Sequence, residues 1–446
     1  MGDKKVKETV IQFGEGGFLR SFVDKFFDIM NKAGTYEGKI VVVQPIANGL
    51  CDVLNEQKGK YNLFLRGISS GKEVCEHTLV ESISRAINPY TDYQAYISLA
   101  DNPDFRVIVS NTTEAGIEYL GTEKPDDAPP KSFPAKLTAL LYRRYVNKLP
   151  GFIILSCELI DRNGDELKKC VLKYAELWNL GKDFSRWVEQ ENSFCSTLVD
   201  RICTGYPKDE VEKKQLSAIC PGDKLIDTAE IFHLWVIEGD FEEELPFRKS
   251  GINVIWTDCV DSYKKRKVRI LNGAHTSMVP AALLYGLSTV GECMKDGNIR
   301  GFLEKCIYDE ILPTIGDSEE NREFALAVFE RFENPYIKHM LMSIALNSVS
   351  KFRVRVLPTM LEYREKYGKN PKALCFSLAA LIAFYKKGTP DDLPEVTEFM
   401  KNSNLTEILS SEKTWGEDIT FFANEVESGY TLITEKPKEE WLKWVK

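Results

Sequence analysis

The chain changes rhythm near residue 258, and few architectures accommodate that change. Before it, short β-rich runs alternate with longer helical patterns; after it, good strand candidates disappear. Thr9-Val10-Ile11-Gln12-Phe13, Lys39–Val43, Arg106–Ser110, Phe152–Ser156 and Asn253–Trp256 read as strands. The last three are almost wholly apolar, which predicts parallel strands covered on both faces. Alternation of this kind predicts a Rossmann-like, doubly wound α/β domain over residues 1–258. Beyond it Val268–Leu287, Asn298–Ile311, Arg322–Phe332, Tyr336–Ser350, Leu357–Tyr367, Pro371–Lys387 and Asp391–Lys401 carry helical periodicity. Residues 259–446 are therefore expected to form an all-helical domain.

Composition narrows the function classes. Lys+Arg 58 against Asp+Glu 67 in 446 residues leaves a formal charge of −9, which argues against a nucleic-acid partner, since that needs a basic face to displace counterions. The longest apolar stretch, Ala373 to Tyr385, is broken by Ser377 and too short to span a bilayer. The segment Met1-Gly2-Asp3-Lys4-Lys5-Val6 is charged, lacks an apolar core and places Val6 where acylation needs Ser or Thr. Eleven scattered cysteines without a C-x-x-C pair read as free thiols. The expectation is a cytoplasmic protein with no membrane partner.

Three segments carry chemistry. Gly14-Glu15-Gly16-Gly17-Phe18-Leu19-Arg20 follows a strand and opens a helical pattern, the context in which backbone N–H groups receive a pyrophosphate. Leu19 stands where a full G-x-G-x-x-G has its third glycine, so a tight turn without ligand is the competing reading. The second strand ends in Gln44-Pro45, without the carboxylate that usually reads the adenosine ribose. Sequence logic alone therefore does not choose NAD over NADP. Next, Ser110-Asn111-Thr112-Thr113-Glu114-Ala115-Gly116 lies beyond a strand's carboxyl end, where Asn and Thr can meet a nicotinamide ribose or merely cap a helix. Last comes Lys267-Val268-Arg269-Ile270-Leu271-Asn272-Gly273-Ala274-His275. On an α-helix these spacings put Lys267, Asn272 and His275 within an arc of roughly 140°. A lysine, an amide and an imidazole there can move a proton to or from a hydroxyl, with Lys264, Lys265 and Arg266 contributing charge. The competing reading is a solvated basic run beside a structural Asn/His pair.

Two motifs are decoys. Gly67-Ile68-Ser69-Ser70-Gly71 fits the nucleophile elbow, yet extended segments flank it on both sides, which predicts a hairpin turn. The four histidines, His77, His233, His275 and His339, lack metal-ligand spacing, and no metal is expected.

With these segments in order, the chain resembles the mannitol dehydrogenase family of long-chain polyol dehydrogenases, and within it the members acting on hexuronates. The resemblance runs from Ile11 to about Tyr385. It rests on Ile11-Gln12-Phe13-Gly14-Glu15-Gly16-Gly17-Phe18-Leu19-Arg20, Ser110–Gly116, Cys157–Asp165, Asn192–Arg201, Lys267–His275, Arg331–Pro335 and Lys351–Arg353. It implies a metal-independent, NAD-linked enzyme of hexuronate breakdown that interconverts D-altronate and D-tagaturonate. Lys267 would be the general acid/base, Asn272 the oxyanion donor and His275 a substrate-binding imidazole. Ile11 to Arg20 would form the nucleotide loop, with Asn111 and Thr112 near the nicotinamide half.

One departure matters. Polyol-oxidising relatives carry an asparagine two residues after the cysteine that matches Cys157, and this chain has Leu159. That argues against a mannitol-type substrate. A uronate also needs a cation for its carboxylate, and Arg162, Arg201, Lys351 and Arg355 are candidates, with Asn163 and Asp200 in the same blocks. The alternatives are a fructuronate or polyol dehydrogenase of the same family. From another class come an epimerase using NAD transiently and a sugar-acid-binding protein without catalysis.

Overall fold

A computed structural model describes residues 7–113 and 115–441. Glu114, Trp444 and the segment 1–6 lie outside the described residues. The chain divides into two compact units, Met1–Arg66 with Glu73–Val260, and Gly67–Lys72 with Asp261–Lys446.

The strands of the first unit are β1 (Glu8–Phe13), β2 (Lys39–Val43), β3 (Tyr61–Ser69), β4 (Lys72–Val80), β5 (Ile83–Ile87), β6 (Val107–Ser110) and β7 (Ile153–Ser156). They continue with β8 (Ser193–Cys195), β9 (Thr197–Asp200), β10 (Cys203–Gly205), β11 (Asp227–Glu230), β12 (Leu234–Glu238) and β13 (Val254–Thr257). Six of them form one all-parallel sheet in the order β5-β2-β1-β6-β7-β8. The chain leaves β1 toward β2 and later returns on the other side as β6, so the winding direction reverses beside β1. Alternate residues of each strand enter separate cores. Val10, Ile40, Val42, Val107, Val109, Ile153 and Leu155 join one apolar cluster, while Ile11, Phe13, Val41, Val43, Ile108 and Ile154 join another. Both faces are thus covered, which is why these strands read as unbroken apolar runs.

The expectation for Asn253–Trp256 needs correcting. β13 lies at the edge of a separate three-stranded sheet, β13-β12-β9, and only Val254 is fully buried. A short apolar run cannot distinguish the two settings, since one covered face suffices to select it. A third sheet, β10-β11-β3-β4, contains the decoy. Ser70 and Gly71 join β3 to β4 with φ of 52° and 71°, the left-handed pair of a tight hairpin turn, so this serine is a turn residue.

From Asp261 onward the second unit is helical, with the isolated bridge Thr289–Met340 as the extended pairing among the described residues there. Its central helix, Lys372–Lys387, buries every residue from Ala373 to Tyr385. The carboxylate of Glu310 accepts the N–H groups of Ala373 and Leu374 at 2.8 Å each, covering the buried start of that helix. The expected helix Tyr336–Ser350 is instead two pieces, Leu341–Ala345 and Ser348–Arg355. Asn334-Pro335 opens a turn, the Asn334 side chain accepts from Tyr336 N–H, and Asn347 sits at φ 54° between the pieces. Trp415 and Trp441 are buried in the helices after residue 390.

Candidate active site

The glycine turn sits at the carboxyl end of β1, the strand beside which the winding reverses. Gly14 has φ 121°, and a Cβ there would lie 2.8 Å from the Asn111 carbonyl oxygen and 3.0 Å from Leu19 Cδ1. Only glycine meets both demands, and the bare backbone it leaves is the cradle a pyrophosphate requires. The following helix is shorter than the sequence suggests. It runs Gly17–Ser21, breaks at Phe22 and resumes as Val23–Ala33. Leu19, in place of a third glycine, turns inward and is buried, as are Ile11, Gln12 and Phe13. These four shape the turn from below, and their side chains do not line its surface.

Arg20 is also buried. Its Nη1 donates to the Glu15 carbonyl at 2.9 Å, and its Nε lies 3.5 Å from Asp227 Oδ2. Asp24 is fully buried beside them, with Tyr61 Oη 3.4 Å from its Oδ2. Burial pushes the Asp24 carboxyl up to about 7 and that of Asp227 up to about 6, with Arg20 opposing both. Within this cluster Gln12 Oε1, Arg20 Nε, Asp24 Oδ1 and Asp227 Oδ2 are buried and lack a hydrogen-bond partner.

Beyond β6, Asn111 donates from Nδ2 to the Cys157 carbonyl at 2.8 Å. Thr112 donates its N–H and its hydroxyl to Glu158 Oε1, and Ser110 donates to Oε2, each at 3.1 Å. Glu158 is the residue that sequence reasoning passed over. Its buried carboxylate ties the loops after β6 and β7 together, and its only sequence signal is an acidic residue closing an apolar strand. Leu159 next to it is 64% exposed.

Most of the residues expected to contact substrate in this unit are bonded to the protein itself. Asn163 spends its amide on five backbone groups: Nδ2 donates to the carbonyls of Ser156, Glu158 and Thr197, and Oδ1 accepts from Gly164 and Thr197 N–H. Arg162 bonds Asp165 through Nε and grips Glu238 with both terminal nitrogens. Arg201 is buried over Phe22 and Phe26 and donates to the carbonyls of Phe232, Ser21 and Ile231. Asp200 is buried at the end of β9.

In the second unit the lysine segment is not a continuous α-helix. The helix Asp261–Lys267 passes into a π turn, Val268–Asn272, before the helix Gly273–Tyr285. Bonding between residues five apart brings Lys267 and Asn272 onto neighbouring positions, where α spacing would hold them roughly 140° apart. The basic run is largely spent: Lys265 pairs with Glu362 at 3.2 Å, and buried Arg266 pairs with Glu320 between Tyr263 and Phe324. Arg269 bonds Thr359 and Glu362. Lys267 and Asn272 are half-buried, and His275 is buried.

The His275 ring lies face to face with Phe332, centroids 4.1 Å apart, and meets the edge of His339 at 5.1 Å. Burial holds His275 well below the ordinary imidazole range, and His339, Arg331 and Arg355 push in the same direction. The ring is neutral, and its Nε2 has no hydrogen-bond partner, so a substrate hydroxyl would complete it. His339 and Arg331 carried no role in the sequence reading. Arg355 approaches because position 273 is glycine: a Cβ there would lie 3.3 Å from the Arg355 carbonyl oxygen. Burial lowers the Arg355 guanidinium, and among the described residues no carboxylate pairs with it. Lys351, one turn earlier, donates to the Ile344 carbonyl at 2.9 Å.

Comparisons with known proteins show the family and the fold. Residues 8–249 match the family model of the mannitol dehydrogenase Rossmann domain, and residues 259–433 match that of the mannitol dehydrogenase C-terminal domain. An altronate oxidoreductase of Klebsiella pneumoniae is 49% identical over 387 residues, covering 85% of this chain and 80% of its own. One from Shigella flexneri is 49% identical over 389 residues with the same coverage. A crystal structure of a D-sorbitol dehydrogenase in substrate-free form shares the fold with a TM-score of 0.84 at 21% identity, covering 98% of this chain and 95% of that one. A Pseudomonas fluorescens mannitol 2-dehydrogenase ternary complex with NAD and D-mannitol shares it with a TM-score of 0.72 at 22% identity, covering 98% and 94%.

Proposed function

The chain belongs to the mannitol dehydrogenase family, and from that premise we propose that it interconverts D-altronate and D-tagaturonate in the cytoplasm. It is an NAD-dependent oxidoreductase acting on a secondary alcohol. Its eleven cysteines are all free thiols, and no helix among the described residues is long and apolar enough to cross a membrane.

NADH, when bound on the glycine turn, supplies the hydride. In the reducing direction Lys267 donates a proton to the ketone oxygen from its ammonium, and in the oxidising direction the neutral amine takes that proton back. Asn272, brought alongside by the π turn, donates from its amide to the same oxygen as charge builds on it. His275, neutral and with an unfilled Nε2, accepts from a neighbouring hydroxyl. Arg355 holds the carboxylate.

The observation that carries the uronate reading is the charge around His275. Two arginines, Arg331 and Arg355, act on it beside a buried His339 that is itself lowered, no acidic group does, and Arg355 has no carboxylate of its own among the described residues. Such a corner suits an anionic substrate, and the exposed Leu159 supplies no amide for a neutral polyol. The test is a panel of keto-uronates and ketoses with NADH. Stoichiometric loss of NADH absorbance is expected with tagaturonate and not with fructose. Faster turnover of fructuronate would move the assignment to the sister uronate, and product without net NADH change would make it an epimerase. Lys267→Ala is expected to lower kcat by about 10²–10⁴-fold; wild-type turnover in that variant would end the mechanism.

A further inference from the structure

We propose that Glu15, a residue of the glycine turn, selects NAD against NADP by presenting a carboxylate to the adenosine ribose. The inference rests on the NAD-linked reading and supplies a residue for it. In a sheet of this winding the adenosine ribose lies beyond the carboxyl end of the second strand, where a carboxylate on the strand usually accepts its hydroxyls. β2 offers Gln44 there, and that amide is occupied. Its Nε2 donates to the carbonyls of Ile46 and Ala47 at 2.9 and 3.1 Å, and its Oε1 accepts Cys51 N–H at 3.1 Å. Gln44 therefore folds the loop that follows β2.

Glu15 reaches the same place from the neighbouring turn. A Cβ built on Gly49, in the loop after β2, would fall 2.0 Å from Glu15 Oε1 and 2.6 Å from Gln44 Oε1. The two side chains thus converge on one glycine, which leaves room for both. The Glu15 main chain is fixed by Arg20, which donates to its carbonyl at 2.9 Å, and the residue is only 8% exposed. Burial raises the Glu15 carboxyl above the ordinary range, opposed by the Leu50 N–H it accepts and then by Arg20, whose guanidinium is spent on the Glu15 carbonyl and on Asp227. The end of β2 thus holds a carboxyl side chain, delivered by the turn rather than by the strand. A carboxylate there accepts a ribose hydroxyl and repels a 2′-phosphate.

The test is direct binding of NADH and NADPH, followed by nucleotide fluorescence, to wild type and Glu15→Gln, with thermal melts of both proteins. Glutamine keeps an acceptor in place and removes the charge, so the melting temperature is expected to hold. The wild type is expected to bind NADH at least about 100-fold tighter than NADPH. The variant is expected to lose about tenfold in NADH affinity and to gain in NADPH affinity, since exchanging a charge-assisted hydrogen bond for a neutral one costs roughly one decade. An unchanged NADH-to-NADPH ratio in a folded variant overturns the proposal. Should the variant fail to fold, competition on the wild type decides: ADP-ribose displacing NADH while its 2′-phosphorylated form does not supports the assignment, and equal displacement refutes it. A wild type that binds neither nucleotide refutes the NAD-linked reading itself, a result distinct from an unchanged ratio.

Discussion

The buried acids beneath the glycine turn make stability depend on pH in a predictable direction. Asp24 is fully buried, its Oδ1 has no partner, and its surroundings are Arg20, Tyr61 and a second raised acid, Asp227. Its carboxyl stands at about 7 in the folded chain, against 3.8 for the ordinary group. The native state therefore holds that proton more tightly than the unfolded state. The corresponding stability is complete below about pH 4 and is lost as pH rises through about 7. A shift of that size corresponds to about 4 kcal/mol across the window, at 1.36 kcal/mol per pH unit. Asp24→Asn keeps the shape and carries no charge to bury. Urea midpoints of wild type and variant at pH 5, 6, 7 and 8 isolate the effect of Asp24 together with its coupling to Asp227, because titrating groups farther away contribute alike to both proteins. The variant's advantage is expected to grow with pH and to make it the more stable protein at pH 8. A difference between the two proteins that stays flat from pH 5 to 8 would refute the reasoning.

Two further outcomes test the site assignments. Asn163→Ala takes a donor from the carbonyls of Ser156, Glu158 and Thr197, of which Ser156 keeps the Thr197 hydroxyl, and an acceptor from two N–H groups at the end of β7. It is expected to cost about 3 kcal/mol or more by chemical denaturation, since each orphaned buried group costs about 1–3 kcal/mol; a substrate-binding role would instead raise KM with stability intact. Arg355→Ala is expected to lower kcat/KM for the keto-uronate by about 10–150-fold, the worth of a charge-assisted hydrogen bond. Arg355→Lys should restore only part of that loss, because an ammonium cannot grip a carboxylate with a planar fork.

How far the sequence discloses this fold depends on what each residue has to report. The strands β1, β2, β6 and β7 are visible because alternate residues enter separate cores, which demands apolar side chains at every position. The same logic misplaces β13, since Val254 and Trp256 are apolar in a strand covered on one side only. Helix Lys372–Lys387 is visible for the converse reason, an unbroken buried run of helix formers after Pro371. The break at Phe22 and the π turn Val268–Asn272 leave no such trace. Each is a change in backbone bonding at positions whose side chains suit an α-helix equally well. For Lys267 that hidden change matters, because the turn and not the spacing brings Asn272 beside it.

The cations show most clearly why a site is harder to read than a fold. Lys265, Arg266, Arg162, Arg201 and Arg355 are equivalent in sequence: basic residues inside or beside the family's blocks. Structure separates them by what faces each one. Glu362, Glu320 and the pair Asp165/Glu238 occupy the first three, and three backbone carbonyls occupy Arg201. Arg355 has neither kind of partner among the described residues, although burying a guanidinium without one is unfavourable. Partners arrive from distant parts of the chain, Glu320 fifty-four residues after Arg266 and Glu238 seventy-six after Arg162. No local pattern encodes them. In a chain with a net charge of −9, Arg355 is thus a half-buried arginine with no acidic partner among the described residues, which is why it is the one proposed for the substrate carboxylate.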